Sequence, residues 1–382
     1  MVESPILTCR ACGEAFSLEP RFRGCPRCEN EPLEVAYPAP NANAFRSGAA
    51  ELGLWRWRAL LPPVERPVTL GEGATPLLPF EWRGRALHIK NETANPTWCW
   101  KDRPQSVSVS LARAWEFDGI ACISTGNHGG ALAAYAGHAG IAARVFCNPK
   151  TSPLQPVLMR GYGADVELTD EGEARMRALL AGNEDADGVP TKRVWFPATI
   201  LDAGAGYSNP FGVEGFKTIA FEIAQALGWR APGRVFVPVG SGDGFYGIWK
   251  GFRELHAFGL IPGTPRMVAC QSSGAASLVR AFASGLARVE ALDAPHSLAL
   301  SIVERATGLP ALRALAESSG DAIAVEDEAI ARTRAALQRV GLALEPASAC
   351  ALAAWERAPD GEGNDVVIAS GSAVKWPECL EN

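Results

Sequence analysis

Apolar positions along this chain recur with two different periods, and the two take turns. From about residue 86, short β-branched or wholly apolar runs alternate with stretches of helical spacing. ALHIK (86–90), GIACIS (119–124), ARVFCNP (143–149), DVELT (165–169) and RVWFP (193–197) read as strands. RVFVPVG (234–240), MVACQ (267–271) and DVVIAS (365–370) read as buried strands. Residues 103–117, 126–140, 152–163 and 212–228 carry helical patterns; the first has proline near its first turn and the third closes on glycine. Such alternation predicts an α/β fold of mostly parallel sheets covered on both faces, in two lobes. A length of 382 residues agrees, being too great for one simple core.

The N-terminal part follows another logic. Residues 9–28 read CRACGEAFSLEPRFRGCPRC, with twelve residues between the pair Cys9 and Cys12 and the pair Cys25 and Cys28. Two such pairs set four thiolates as Zn2+ prefers them, in a closed structural site without an open catalytic position. A ribbon that has lost its metal and a dithiol redox pair are the competing readings. The second is weak, because no strand–helix context follows either pair. Residues 36–70, rich in Pro, Trp and Arg, read as an arm laid on the body.

Composition narrows the class. About half the residues (47%) are apolar and 20% are charged, as in ordinary globular proteins. A net charge of -6 gives no basic footprint for nucleic acid. No apolar run approaches the ~20 residues that span a bilayer. The opening residues lack the basic-then-apolar order of a secretory signal. Six of the ten cysteines are scattered, several in strand-like runs, so a reducing cytoplasm is expected.

In folds of this type ligands sit at the carboxyl ends of strands. Four loops therefore carry the candidate chemistry. NPTWCWKDRP (95–104) crowds Lys101 with two tryptophans and a cysteine. A lysine so placed is either a solvated side chain with its stem on apolar surface or an amine recruited for chemistry. STGNHGG (124–130) offers hydroxyls, an amide and backbone N–H groups at a helix start, suited to a carboxylate or simply to an N-cap. VPVGSGDGFYG (237–247) brings Gly240, Gly242 and Gly244 between a buried strand and a helix. With no Lys-Ser/Thr after it and no Gly-x-Gly-x-x-Gly order, it suits a monophosphate better than a nucleotide. IASGSAVKWP (368–377) ends a strand in Ser370, whose hydroxyl meets a ring nitrogen or caps a turn. A lysine for a Schiff base, a glycine cradle and a partner for a ring nitrogen together point to pyridoxal phosphate.

Seven segments, in order, resemble the threonine synthase branch of the pyridoxal-phosphate enzymes of fold type II, the tryptophan synthase β-like group. They are LGEGATPL (70–77), IKNETANPTWCWKDRP (89–104), STGNHGGALAAYAGHAG (124–140), NPFGVEGFKTIAFEI (209–223), VPVGSGDG (237–244), EPASACALAAW (345–355) and ASGSAVK (369–375). The resemblance implies two three-layer α/β/α lobes with the cofactor between them, plus the N-terminal zinc-ribbon-like segment (1–35). It places 36–101 with 200–382 in a large cofactor-binding domain and 102–199 in a small α/β domain. Lys101 falls where the family has its Schiff-base lysine and acid/base. Asn127 falls where it bonds the cofactor's 3-hydroxyl, Gly240, Ser241, Gly242, Asp243 and Gly244 where it cradles phosphate, and Ser370 where it meets the pyridine nitrogen. Ser124, Thr125, Gly126 and His128 lie in the loop expected to hold the substrate carboxylate, and Arg103 is expected either in an ion pair or on an anionic substrate group. A homodimer is implied as well.

The departures bear on the substrate. The family's GSFK is Trp98-Cys99-Trp100-Lys101 here, and SIVERATGLP (301–310) stands where the family has AIRIGNP. The expected activity is conversion of O-phosphohomoserine to threonine and phosphate. The alternative is β-replacement or elimination on another amino acid, as in cysteate synthases or dehydratases, and the altered WCW favours it. A catalytically silent homologue is disfavoured by the retained Lys101, Asn127 and glycine loop.

Overall fold

The computed structural model describes residues 3–28, 31–47, 53–183, 185, 189–200, 209–361 and 364–380. Its strands, in chain order, are β1 (Ile6–Cys9), β2 (Ala15–Phe16), β3 (Leu33–Ala36), β4 (Leu77–Trp82), β5 (Arg85–Asn91) and β6 (Gly119–Ser124). There follow β7 (Ala142–Cys147), β8 (Asp165–Leu168), β9 (Trp195–Pro197), β10 (Arg234–Pro238), β11 (Arg266–Ser272), β12 (Asp321–Val325) and β13 (Asp365–Ala369). The chain divides into two compact units, Met1–Glu72 with Lys101–Gly215, and Gly73–Trp100 with Phe216–Asn382. Of the described residues, 36–47, 53–72, 200 and 209–215, expected with the large domain, fall in the first unit.

The first unit contains two sheets. β2, β1 and β3 form an antiparallel sheet in that order, and β8, β7, β6 and β9 form a parallel one. Helix Asn127–Ala139 lies close on the parallel sheet because its residues are small. A Cβ on Gly129 would stand 2.7 Å from Val145 Cγ1 and 3.1 Å from Ser124 Cβ. The Trp-rich arm is tied to helix Asp102–Ala114: Trp55 Nε1 donates to Ser106 Oγ at 2.8 Å, and Val68 N donates to Ser110 Oγ at 2.8 Å. The cysteine segment is anchored by Phe22, which is buried edge-on against Phe196, Phe211 and Phe117.

The second unit is built on one six-stranded sheet, ordered β12-β11-β10-β13-β5-β4. All neighbours are parallel except β4, which runs antiparallel to β5 at the edge. β13 is buried at every position, as a central parallel strand with both faces covered must be. β4 is half-exposed and carries Pro79, a residue without an N–H that a sheet accepts at its edge. The alanine-rich helix Pro346–Arg357 fills one face with Ala347, Ala349, Ala351 and Trp355.

Helices Val213–Ala226 and Asp243–Ala257 of this unit meet at Gly251, where a Cβ would fall 2.4 Å from the Lys217 carbonyl oxygen. Beside that contact Glu254 accepts from Lys217 Nζ at 2.9 Å and from Lys250 Nζ, and all three side chains are buried. Burial alone would raise the Glu254 carboxyl. The two ammonium groups outweigh it and hold the group below its ordinary 4.5. The carboxylate's contribution is therefore complete above pH 4.5 and is lost as pH falls below it. Glu254→Gln should destabilise the protein by about 3–5 kcal/mol, because two buried cations lose their anion. Urea unfolding at pH 7 and below pH 4.5 checks this, and the gap between variant and wild type should shrink in acid.

Candidate active site

Two groups of residues, one in each unit, carry the chemistry that the sequence suggested. In the second unit the three residues before Lys101 are pinned by backbone. Trp100 N donates to the Ser370 carbonyl at 2.8 Å, Cys99 bridges Gly371, and Ser372 N donates to the Trp98 carbonyl at 3.0 Å. The Trp100 ring lies on the glycine loop, where a Cβ at Gly244 would stand 2.6 Å from it, and meets Phe216 edge-on at 5.0 Å. Cys99 is fully buried, with its Sγ 3.6 Å from Thr97 Oγ1. Trp98 takes φ +58°, the left-handed region that suits glycine, and leaves 40% of its surface exposed. The family glycine at this position has a backbone reason, and the tryptophan here is held against its preference.

The glycine loop turns its carbonyls into the unit. The Val239 oxygen accepts from Gln271 Nε2, that of Gly240 from Thr307 Oγ1, that of Ser241 from Gly308 N, and that of Gly242 from Tyr246 N. Because each peptide is planar and trans, the N–H groups of residues 240–243 point the opposite way. Gly242, at φ +94°, completes a concave row of amides at the start of helix Asp243–Ala257. The residues fit a phosphate with one exception. Asp243, buried, directs Oδ1 to Ser241 Oγ and to the N–H of Gly244. Ser370 is buried at the end of β13; its hydroxyl donates to Glu345 Oε1 at 3.3 Å and lies 3.1 Å from Ser348 Oγ.

In the first unit Lys101 precedes helix Asp102–Ala114 and accepts, through its carbonyl, from Gln105 N. Burial drives the Cys122 thiol of β6 far above its ordinary range, and the Lys101 ammonium pulls it the other way. At the end of β6, Ser124 Oγ accepts from Gly126 N at 2.9 Å and Gly129 N at 2.8 Å, capping the next helix. Gly126 has φ +141°, and a Cβ there would meet the Gln155 amide at 3.0 Å. Thr125 gives its carbonyl to Thr151 Oγ1 at 2.7 Å, and Asn127 is buried at the helix start. His128 Nδ1 stands 3.0 Å from Gln105 Nε2, and its Nε2 is 3.5 Å from Thr199 Oγ1. Arg103 is fully buried. Among the described residues, Gln105 Oε1 and both amide atoms of the fully buried Gln155 have no hydrogen-bond partner. Polar atoms in that state call for a polar ligand or a shift of the loop.

The four N-terminal thiols also converge. The Sγ atoms of Cys9, Cys12, Cys25 and Cys28 all lie within 4.8 Å of one another, at two knuckle turns. The Glu14 N–H, then the neighbouring thiols, lower Cys12 to about 7.

Residues 68–371 match the model of the family described as pyridoxal-phosphate dependent enzyme. The chain belongs to that family. Within it, this pyridoxal-phosphate-dependent protein is 31% identical to the threonine synthase of Methanosarcina acetivorans over 397 aligned positions, covering 98% of this chain and 93% of that one. It is 32% identical to the threonine synthase of Methanocaldococcus jannaschii, over 97% and 93% of the two chains. Among solved structures, a T.th. threonine deaminase superposes with a TM-score of 0.61 at 25% identity, covering 78% of this chain and 92% of that one. These relationships place the chain in the threonine synthase branch, with the fold-type-II architecture that the motifs implied.

Several contributors went unassigned from sequence. Glu345 and Ser348 of the EPASA segment brace Ser370, and Thr307 and Gly308 of SIVERATGLP brace the glycine loop. The EPASA segment was itself the signal for the first pair, but nothing local marked Thr307, Gln105 or Thr199. Gly242→Ala tests the loop: a methyl there would meet Ala311 Cβ at 2.7 Å and Thr307 Cγ2 at 2.8 Å, at a strained φ. A loss of at least ~2 kcal/mol in denaturant unfolding is expected, with weakened cofactor retention on gel filtration.

Proposed function

We propose that this protein is a pyridoxal-phosphate-dependent lyase that converts O-phosphohomoserine to threonine and phosphate. The observation that carries the reading is the pinning of the Trp98–Trp100 segment to Ser370 and Gly244, which ties the residues leading into Lys101 to two other cofactor-binding candidates. Lys101 would hold the cofactor's aldehyde, the amides of Gly240–Gly244 with Ser241 its phosphate, Ser370 its ring nitrogen and Asn127 its 3-hydroxyl. When bound, the cofactor supplies the sink that stabilises negative charge at the substrate's reacting carbons. The Lys101 amine takes and returns protons at Cα and Cβ. Residues 124–128 would orient the substrate carboxylate, a role supported by the unsatisfied Oε1 of Gln105 and side-chain amide of Gln155. His128 serves there as a fixed wall, its two nitrogens engaged by Gln105 and Thr199.

A second reading keeps the cofactor and changes the substrate to an amino acid undergoing β-replacement or elimination. It is favoured by Trp98, whose exposed indole stands where the family has glycine, and by Glu304, whose side chain packs at Gly240. Borohydride reduction followed by peptide mapping should place one label on Lys101, and none should appear in Lys101→Ala; a label elsewhere would defeat the assignment. Incubation with O-phosphohomoserine should release phosphate and form threonine in equal amounts. Turnover of O-phosphoserine with sulfite, in place of that, would transfer the assignment to the second reading.

The four-cysteine cluster is proposed to hold one structural Zn2+, the charge and softness of four converging thiolates being what that ion selects. Elemental analysis should find one zinc per chain, released when a mercurial titrates the thiols. Cys25→Ser should lower both zinc content and the melting temperature, because a metal bound to the folded state alone contributes directly to its stability. A homodimer in the cytoplasm is proposed by extension from the family resemblance, and ten free cysteines suit a reducing compartment.

A further inference from the structure

Asp243 occupies the first position of helix Asp243–Ala257, immediately after the glycine loop. Its side chain is buried, and Oδ1 accepts two hydrogen bonds at 2.9 Å, one from Ser241 Oγ and one from the N–H of Gly244. A hydroxyl and an amide at a helix start are the donors that a bound phosphate would use, where the helix dipole favours negative charge. The carboxylate has therefore taken the part of the anion. The loop around it is held in place by its neighbours. Thr307 and Gly308 grip the carbonyls of Gly240 and Ser241, Trp100 lies on Gly244, and Ala311 and Thr307 close on Gly242.

We propose that Asp243 is an internal competitor for the cofactor's phosphate, so that phosphate binds only as the carboxylate releases Ser241 and Gly244. The proposal rests on the reading of residues 240–244 as the phosphate cradle. One set of hydrogen bonds is exchanged for another, and two like charges are brought near each other, which weakens binding of the phosphorylated form in particular. A ligand with the same ring and no phosphate is indifferent to the exchange.

The test uses 4′-deoxypyridoxine 5′-phosphate, which keeps the phosphate and lacks the aldehyde, and its unphosphorylated counterpart. Both are titrated calorimetrically into the full-length apoprotein as wild type, Asp243→Asn and Asp243→Gly. The phosphorylated ligand should bind the variants about tenfold more tightly, and the unphosphorylated one should change by less than threefold. A gain below threefold for the phosphorylated ligand, or equal gains for both, overturns the proposal. Should neither variant fold, wild type alone decides: its preference for the phosphorylated ligand should stay below a hundredfold, and a larger preference overturns it. If borohydride labels Lys101 while the Asp243 variants gain nothing, only the role of Asp243 falls. If the phosphorylated ligand binds no form of the protein, the cradle assignment falls with it.

Discussion

The short antiparallel pairing of Trp98–Trp100 with Ser370–Ser372 is the constraint on which the rest depends. It fixes the backbone that leads into Lys101 against the end of the central strand β13. Trp100 then extends the same restraint sideways, covering Gly244 with its ring. A lysine on an unrestrained loop would lose several side-chain and backbone rotations on ordering. Here the backbone cost is met by peptide hydrogen bonds and aromatic burial that are already in place.

A second layer holds the first. Glu345 and Ser348 fix the hydroxyl of Ser370, and Thr307 and Gly308 fix the carbonyls of the glycine loop. Neither pair needs to touch a ligand. Each aims polar groups of a neighbour, and peptide planarity converts the anchored carbonyls into outward amides. The loop's capacity for an anion thus comes from partners some seventy residues downstream, and the helix dipole adds to it.

Much of this was legible in the sequence because it is local. Apolar runs marked the strands, glycines marked the loop, and paired cysteines marked the convergent thiols that the structure brings within 4.8 Å. Lys101 stood out through its neighbours, and the motif order gave the family. What escaped was contact between distant segments. Lys250 stands four residues before Glu254 on one helix, but no pattern near Glu254 shows that Lys217 shares it in the interior. The left-handed backbone of Trp98 was invisible because tryptophan does not advertise such a conformation. His128 read equally as substrate contact or packing, and nothing in the sequence shows that Gln105 and Thr199 stand beside its ring.

The edge strand β4 has a bearing on the molecule's behaviour in a crowded solution. It is the one antiparallel member of the large sheet, and Pro79 interrupts its row of donors. A foreign strand approaching that border meets a gap where a ladder would need an N–H, and the exposed Glu81 adds charge close by. That border is thereby a poorer template for a second strand, while β12 forms the sheet's other edge.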